Sequence, residues 1–449
     1  MNQKKPLDAT HQINSKYPFK RLCDVGVGLY DCDHRTPKPT TTGYPYIAIP
    51  QIQQGRLNLS GVRLISKEDY DSWTLKNKPQ AGDIIVTRRA RVGDTAIIPE
   101  GFECAIGQNL VIMRSDGTQV DQSFLRWALR GPFYEGQMSK FLNVGALFNS
   151  LNCGDIPQFE LPIPPLTTQQ AIARILSSLD DKIELNRQMN ETLEAMARAI
   201  FQSWFVDFDP VRAKAEGDDN GLPPEIAALF PDSFEVVVGR AVPNGWGIET
   251  LGNVAEMTTG RSYTSDELQE STTALVTLKS FQRGGGYRQD GLKPFTGSYK
   301  PEQVIQPGEL VISFTDVTQA AEVIGKPALV SANPVFQTLV ASLDVGIIRP
   351  KDERVNVPFL YLLLRNDDYQ SHIYGYCSGT TVLHLNKSGV PKYEFICPDP
   401  EVMKRFLTFS KPIFDEIENN IQQSRTLAQI RDALLPKLMS GELQVKKLT

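Results

Sequence analysis

Residues that could carry out a chemical reaction are scarce in this sequence. Asp180-Asp181-Lys182 has the (D/E)xK spacing of a nuclease fragment, but it lies within a predicted helix without a partner acid, so we interpret it as a solvated helix face. Gly284-Gly285-Gly286 lacks the lysine and the strand–helix context of a phosphate-binding loop. The six cysteines form no CxxC and the four histidines are scattered, which disfavours a zinc site and fits a reducing compartment. These residues indicate a protein that binds rather than catalyses.

One segment bears on methyl transfer. Asn333-Pro334-Val335-Phe336 is close to the NPP[YF] motif of amino-methyltransferases, but the second proline is missing. We find no glycine-rich methyl-donor loop after a first strand, and therefore predict a turn. A stand-alone adenine methyltransferase is the enzymatic alternative, and binding of S-adenosylmethionine by the purified chain would reveal it.

Three clusters combine positive charge with hydrogen-bond donors suited to phosphates and base edges. Their members are His34, Arg35, Thr36 and Lys38; Arg88, Arg89 and Arg91, which follow a buried-looking strand; and Lys279, Arg283, Tyr287, Arg288 and Lys293. An exposed charged loop is the alternative interpretation of each cluster. Gln108 and Gln337, related by a shift of 229 residues, either read adenine or make structural hydrogen bonds. All of these are candidate DNA-binding residues.

The elements that must position these residues occur twice. Leu22–Val25 matches Leu251–Val254 at a shift of 229, and Ile183–Asn186 matches Ile417–Asn420 at a shift of 234. A repeat of this length indicates a duplicated domain pair rather than a solenoid. Two similar modules suit a bipartite ligand or a pair of identical partners.

Each copy contains short strands and one short helix and is followed by a long helix. Predicted strands are Tyr46–Ile49, Ile84–Val86 and Leu110–Met113 in the first copy, and Leu275–Leu278, Leu310–Ser313 and Val345–Ile348 in the second; the short helices are Phe124–Leu129 and Phe359–Leu364. Thr167 and Gln170 form a capping box at the start of the first long helix.

Heptad spacing predicts that the two long helices pair with each other. The candidate pairing residues are Ile172, Leu176, Leu179, Ile183, Asn186, Leu193 and Ile200 in the first, and Phe406, Ile413, Ile417, Asn420, Leu427 and Leu434 in the second. Asn186 and Asn420 fall in the same register, and polar core positions fix register at a cost in stability. Two unrelated amphipathic surface helices are the alternative.

These elements predict an α+β fold, with mixed α/β globular domains plus long helices. The predicted segments are a flexible N-terminus (1–16), a first globular domain (17–165), a first long helix (166–206), a linker (207–245), a second globular domain (246–398), a second long helix (399–441) and a tail (442–449). At 449 residues, the chain is long enough for two to four domains.

Composition excludes little beyond membrane insertion. No apolar run reaches the roughly 18 residues that a membrane helix needs, and residues 1–16 lack the apolar region of a signal peptide, so we expect a cytoplasmic protein. A net charge of −5 alone argues against nucleic acid. However, residues 17–160 carry 16 basic against 15 acidic side chains, whereas residues 167–235 carry 6 against 13. A basic face within the first domain therefore remains compatible with DNA.

Several segments resemble the DNA-specificity subunit of type I restriction–modification systems, over nearly the whole chain. They are Asp31–Pro37, Ile163–Gln170, Phe201–Phe208 and Leu434–Leu443. The second globular domain shows less of the family's pattern.

The resemblance implies two target recognition domains, each reading half of a split DNA site, with two helices packed as an antiparallel coiled coil between them. It implies a subunit without a catalytic centre. Two modification subunits would methylate adenine with S-adenosylmethionine, and restriction subunits would act as motor and nuclease, with ATP and magnesium on the partners. The non-enzymatic alternative is a coiled-coil scaffold that binds two identical proteins and no DNA.

Overall fold

The computed structural model describes residues 14–33, 35–145, 148–318 and 320–445, and the chain divides into two compact units. Unit 1 is formed by residues 1–184 and 425–449, and unit 2 by residues 185–424. Each unit therefore contains one globular block and one end of each long helix.

Unit 1 is built from eleven strands in its described part. The strands are β1 (Phe19–Arg21), β2 (Val27–Asp31), β3 (Tyr44–Ile47), β4 (Ile52–Gln53), β5 (Arg56–Leu57), β6 (Arg63–Ile65), β7 (Ile84–Thr87), β8 (Thr95–Ile97), β9 (Ala105–Ile106), β10 (Leu110–Ser115) and β11 (Glu160–Pro162). The helices are α1 (Lys67–Thr74), α2 (Gln122–Ala128), α3 (Pro132–Phe141), the first half of α4 (Leu166–Phe205) and the C-terminal end of the second long helix, residues 425–440.

The main sheet of unit 1 is antiparallel with strand order β2-β10-β7-β8. A three-stranded sheet, β6-β3-β9, contains a parallel β3–β9 pair. The strands β7 and β10 are almost continuously apolar because they are covered on both faces. Ile84 and Val111 pack against Trp127 of α2, while Ile85 and Ile112 pack in a second cluster on the other face.

Unit 2 repeats this plan with additional elements. Its strands are β12 (Phe234–Val237), β13 (Arg240–Pro243), β14 (Gly247–Thr250), β15 (Ala255–Thr259), β16 (Thr273–Val276), β17 (Lys293–Pro294), β18 (Val304–Ile305), β19 (Leu310–Ser313), β20 (Thr315–Asp316), β21 (Pro327–Leu329), β22 (Thr338–Ala341), β23 (Val345–Pro350), β24 (Cys377–Ser378), β25 (Leu383–Leu385) and β26 (Glu394–Cys397). Its helices are the second half of α4, α5 (Asp209–Glu216), α6 (Pro224–Ala227), α7 (Leu251–Val254), α8 (Val357–Leu363), α9 (Asp367–Tyr374) and most of α10 (Pro400–Ser440).

The duplication extends to topology and register. The order β15-β23-β19-β21 matches that of the main sheet in unit 1, and β16 and β22 form the parallel pair that β3 and β9 form there. Ile84 pairs with Met113 in one sheet, and Leu310 pairs with Ile348 in the other. The central strands of unit 2 are also covered on both faces.

The predicted linker, residues 207–245, is a folded part of unit 2 rather than a solvated connection. It forms α5, α6 and the β12–β13 hairpin. Val211, Ile226, Phe230 and Val242 are buried in the same core as Trp246. The acidic composition led to the wrong prediction, because only a few apolar residues are needed to anchor short elements in a core.

Two residues of the predicted flexible N-terminus contact the end of α10. Residues 1–13 lie outside the described residues, but the amide of Lys16 donates to the Ser440 carbonyl at 2.8 Å and Ser15 Oγ donates to the same oxygen at 3.3 Å. Residues 15 and 16 therefore cap the end of α10. None of the helices in the described part of the chain has the length and apolar character that crossing a membrane requires.

Candidate nucleic-acid interface

The arginine cluster after β7 does not present three guanidinium groups on the surface. Arg88 is only 9% exposed, and its guanidinium donates to the carbonyl oxygens of Leu151 at 3.3 Å and Gln108 at 3.5 Å. The Arg88 side chain turns inward and satisfies buried carbonyls, as buried polar groups must, and this geometry favours a structural role over the predicted direct contact with DNA.

The other two arginines of this loop differ from each other. Arg91 donates to the carbonyls of Ile49 and Ile52, the latter at 2.6 Å, and lies 3.4 Å from Asp94. The side chain of Arg89 is exposed and makes no hydrogen bond within the described residues, although its backbone bridges Ser150. Arg89 is thus the arginine of this cluster that is available to a ligand.

The loop at 34–38 keeps part of its charge in local pairs. His34 lies outside the described residues. Arg35 forms a 2.6 Å ion pair with Asp33, and its guanidinium stacks on Trp73, 4.4 Å from the ring centroid. Thr36 and Lys38 are exposed. An exposed, aromatic-backed guanidinium suits stacking or phosphate contact.

Backbone hydrogen bonds establish which residues of the two units correspond, and this correspondence differs from the one predicted from the sequence. Arg88 N donates to Asn109 O and Phe314 N donates to Asp344 O, both at 2.8 Å, so Phe314 occupies the place of Arg88. By the same register, shifted by 235, Gln108 corresponds to Leu343. The predicted equivalence of Gln108 and Gln337 is wrong, because Gln108 follows β9 whereas Gln337 precedes β22. Both glutamines are nonetheless exposed.

Most charges of the third cluster already have partners in unit 2. Arg283 lies 3.2 Å from Glu322, Arg288 lies 2.5 Å from Asp290, and Lys293 Nζ donates to Tyr263 Oη at 2.8 Å. Lys279 is exposed, and the half-buried Tyr287 packs against the unit 2 core. These side chains do not converge on a single unpaired basic patch.

In unit 1, a buried carboxylate joins the globular block to both long helices. Asp180 of α4 is 2% exposed; it accepts hydrogen bonds from Arg56 at 2.9 Å and Arg431 of α10 at 2.6 Å, and it pairs with Arg126 of α2. Burial alone would raise the pKa of Asp180, but the positive charges of Arg126, Arg56 and Arg130 outweigh it and hold that pKa below its usual value. The interpretation of Asp180 as part of a solvated helix face is wrong.

In unit 2, different side chains occupy the positions that join the globular block to the long helices in unit 1. The α2 and α8 caps, Asp121 and Asn356, are 235 residues apart, so Tyr361 corresponds to Arg126 and Arg365 to Arg130. Tyr361 packs edge-on against Phe414, 5.5 Å between centroids. Tyr361 also donates to Glu194 of α4 at 3.0 Å, and Arg365 pairs with the same carboxylate.

Sequence reasoning missed the residues of these junctions. They are Arg56, Arg126, Arg130 and Arg431 in unit 1, and Glu194, Tyr361, Arg365 and Phe414 in unit 2. A usable signal was present: Arg126 interrupts the otherwise apolar run Phe124–Leu129, and a charged side chain within such a run requires a buried partner.

All thirteen candidate helix-pairing residues are buried or half-buried. Fully buried are Ile172, Leu176, Asn186, Phe406 and Asn420; half-buried are Leu179, Ile183, Leu193, Ile200, Ile413, Ile417, Leu427 and Leu434. Within unit 1, Ile172 and Leu176 share a core with Leu438 of α10.

Asparagines join the two long helices within unit 2. Asn186 Nδ2 donates to Gln423 Oε1 at 2.8 Å and to Ser424 Oγ at 3.2 Å, and Asn420 Nδ2 donates to Asn190 Oδ1 at 2.9 Å. Asn190 Nδ2 also donates to Ile417 O at 3.2 Å. Partner numbers on α10 fall as those on α4 rise, so the paired segments run in opposite directions.

Metal-ligating side chains do not cluster in the described ranges: no group of three or more His, Cys, Asp or Glu residues is placed to hold an ion.

The fold and the loop chemistry define a duplicated two-unit protein whose exposed loops carry groups compatible with nucleic acid. The model of the type I restriction modification DNA specificity domain matches residues 30–195. The HindI specificity subunit of Haemophilus influenzae is 29% identical over 66% of this chain and 72% of its own length. The MjaIX specificity subunit of Methanocaldococcus jannaschii is 28% identical over 92% of this chain and 87% of its own.

The chain is thus similar to type I restriction DNA-specificity subunits over most of its length, and residues 30–195 match the DNA specificity domain of that family. Among solved structures, the type I S subunit from M. genitalium aligns with a TM-score of 0.53 and 16% identity, covering 95% of this chain and 96% of that one. That likeness supports the mixed helix-and-strand fold.

Proposed function

We propose that this chain reads a bipartite DNA target, with unit 1 recognising one half and unit 2 the other. One observation carries the proposal: the two units share a backbone framework but present different side chains at its loops. The exposed Gln108 of unit 1 corresponds to the exposed Leu343 of unit 2, and the buried Arg88 beside it corresponds to the buried Phe314. A common framework with different loop chemistry is what two different half-sites require.

Recognition of the DNA target would depend on contacts with phosphates and contacts with bases. Exposed cations suit contacts with phosphate oxygens; examples are Arg89 and Lys38 in unit 1 and Lys279 in unit 2. Such contacts position a protein on the duplex without reading its sequence. Gln108 has the amide that can pair with the N6 and N7 atoms of adenine. Each unit would then place a few side chains at base edges of a major groove.

Helices α4 and α10 would form an antiparallel coiled coil that keeps the two half-sites in a fixed relation. Support comes from the opposed direction of the Asn186 and Asn190 contacts with α10 and from the burial of the heptad positions. The asparagines would fix the register.

Catalysis would reside on other subunits. We propose two modification subunits that methylate adenine with S-adenosylmethionine, and restriction subunits that use ATP and magnesium, all in the cytoplasm. The duplicated units suit two copies of one partner, and the relatives of this chain are named as specificity subunits.

Selection of bound sequences from random duplex DNA tests the proposal. The chain is purified with its modification subunit and incubated with the DNA, and bound molecules are sequenced. The expected result is two short conserved half-sites separated by a gap of constant length. A single continuous site, or no enrichment despite a stable protein complex, would favour the scaffold alternative.

The methyltransferase alternative needs a separate measurement. Calorimetry of the purified chain with S-adenosylmethionine should show no binding, whereas the modification subunit should bind it. Saturable binding to this chain alone would support the alternative.

A further inference from the structure

The strand ends of unit 1 meet around one buried cation. Arg88 N donates to Asn109 O at 2.8 Å, and Leu151 N donates to Arg88 O at 2.9 Å. The Arg88 guanidinium adds bonds to Leu151 O at 3.3 Å and Gln108 O at 3.5 Å. One residue thus ties together the segments after β7, after β9 and before β11.

We propose that Arg88 is a positioning residue for DNA specificity: it holds the backbone of Gln108 so that the Gln108 side chain meets a base, while the neighbouring Arg89 contacts phosphate. The inference rests on the proposed function, and it separates the roles of two adjacent arginines that the sequence does not distinguish.

Exposure supports this division of labour. Arg88 is 9% exposed and its guanidinium donates to two carbonyls, so it presents little surface to a phosphate. Arg89 and Gln108 are both exposed. Arg91, in the same loop, donates to Ile52 O at 2.6 Å and so anchors the loop to the segment at Ile52.

Comparison with unit 2 shows that the backbone frame alone does not require an arginine. Phe314 N donates to Asp344 O, and Leu385 N donates to Phe314 O, as at Arg88. Phe314 fills its place by packing in an apolar core, with Lys387 above its ring at 4.7 Å. The carbonyl of Leu343, which corresponds to Gln108, accepts instead from Lys387 Nζ at 3.5 Å. A single forked donor that bonds to both carbonyls is therefore specific to unit 1.

The test compares Arg88→Lys with Arg89→Ala in the complex with the modification subunit. Two properties are measured for each variant: the slope of log affinity against log salt, and the base preference at every position of both half-sites. Arg89→Ala should lower the magnitude of the slope by about 0.9, the value for one phosphate contact. Arg88→Lys should reduce discrimination about tenfold at the bases read by unit 1. A third variant, Arg88→Met, removes the charge and should leave the slope unchanged, because Arg88 does not contact phosphate.

The half-site read by unit 2 is the internal control and should keep its base preference in all three variants. A lower salt slope for Arg88→Met would show that Arg88 contacts phosphate directly. Unchanged base preference in Arg88→Lys would show that Arg88 only packs, and either result overturns the proposal. If Arg88→Lys does not fold, Gln108→Ala replaces it and must relax a base in the unit 1 half-site. A wild-type complex that selects no sequence would refute the proposed function itself, and this inference with it.

Discussion

At the scale of single residues, the role of a charged side chain in stability depends on whether it is buried. Asp180 and Asp181 are neighbours on α4, yet the side chain of Asp180 is 3% exposed among arginines whereas that of Asp181 is 69% exposed. An isolated buried charge is costly, so the cluster depends on every partner being present.

Replacing Asp180 with asparagine should strongly destabilise unit 1. Asp180→Asn keeps the size of the side chain but leaves Arg126 and Arg431 without a compensating charge, which should cost about 3–5 kcal/mol. Chemical denaturation of the full chain measures the loss. Asp181→Asn is the matched control and should cost less than about 1 kcal/mol. Equal losses for the two variants would contradict the assigned role of Asp180.

The same carboxylate predicts a dependence of stability on pH. Although burial opposes ionisation of Asp180, the nearby arginines hold its pKa below the unfolded value of about 3.9. The stabilisation is therefore present above about pH 4 and is lost as the pH falls through the lower, folded pKa. The difference in unfolding free energy between wild type and Asp180→Asn should shrink below pH 4. If the difference in unfolding free energy did not depend on pH, the ionised Asp180 carboxylate could not be the source of the stabilisation.

At the scale of elements, buried asparagines distinguish the paired faces of α4 and α10 from their exposed faces. Asn420 is 5% exposed and bonds to Asn190, whereas the adjacent Asn419 is exposed. This neighbouring pair allows a direct comparison on one helix.

Asn420→Ala should destabilise unit 2 by about 1–3 kcal/mol, because it removes a bond to Asn190 and leaves a cavity between the helices. Thermal or chemical unfolding measures the change. Asn419→Ala, on the exposed face of the same turn, should stay within about 0.5 kcal/mol of wild type. A larger effect at Asn419 would mean that the helix pairs through a different face.

Elements with strong patterns were predictable from the sequence, and residues whose role depends on tertiary context were not. The strands containing Ile84–Val86 and Leu310–Ile312 stood out because both faces are buried, and the long helices stood out through their heptads. The direction of the Arg88 side chain was not predictable, since the buried carbonyls that attract it come from distant segments. The match of Gln108 to Gln337 failed because the shift between the copies changes along the chain.

At the scale of the whole molecule, one topology occurs twice with different loops and different junctions to the helices. Unit 1 joins its helices through Asp180 and arginines, and unit 2 through Tyr361, Phe414 and a Glu194 pair. The two globular blocks are therefore not chemically interchangeable at their junctions, although their backbones correspond.

The length of the paired helices should set the unread gap of the DNA target. Inserting one heptad into α4 between residues 184 and 185, and another into α10 between residues 424 and 425, adds about 10 Å of helix. The gap should lengthen by about three base pairs at 3.4 Å each. Sequence selection with the modification subunit measures it, and an unchanged gap would refute helix length as the determinant.

Mapping of adenine methylation tests the central claim most directly. The chain is co-expressed with its modification subunit in a host without other adenine methylation, and methylated positions are mapped across the genome, with and without this chain. The proposed function predicts methylation on one split motif with a constant gap, lost when the chain is omitted. Methylation that persists without the chain, or that falls on an unsplit motif, would contradict a bipartite reader that directs a separate enzyme.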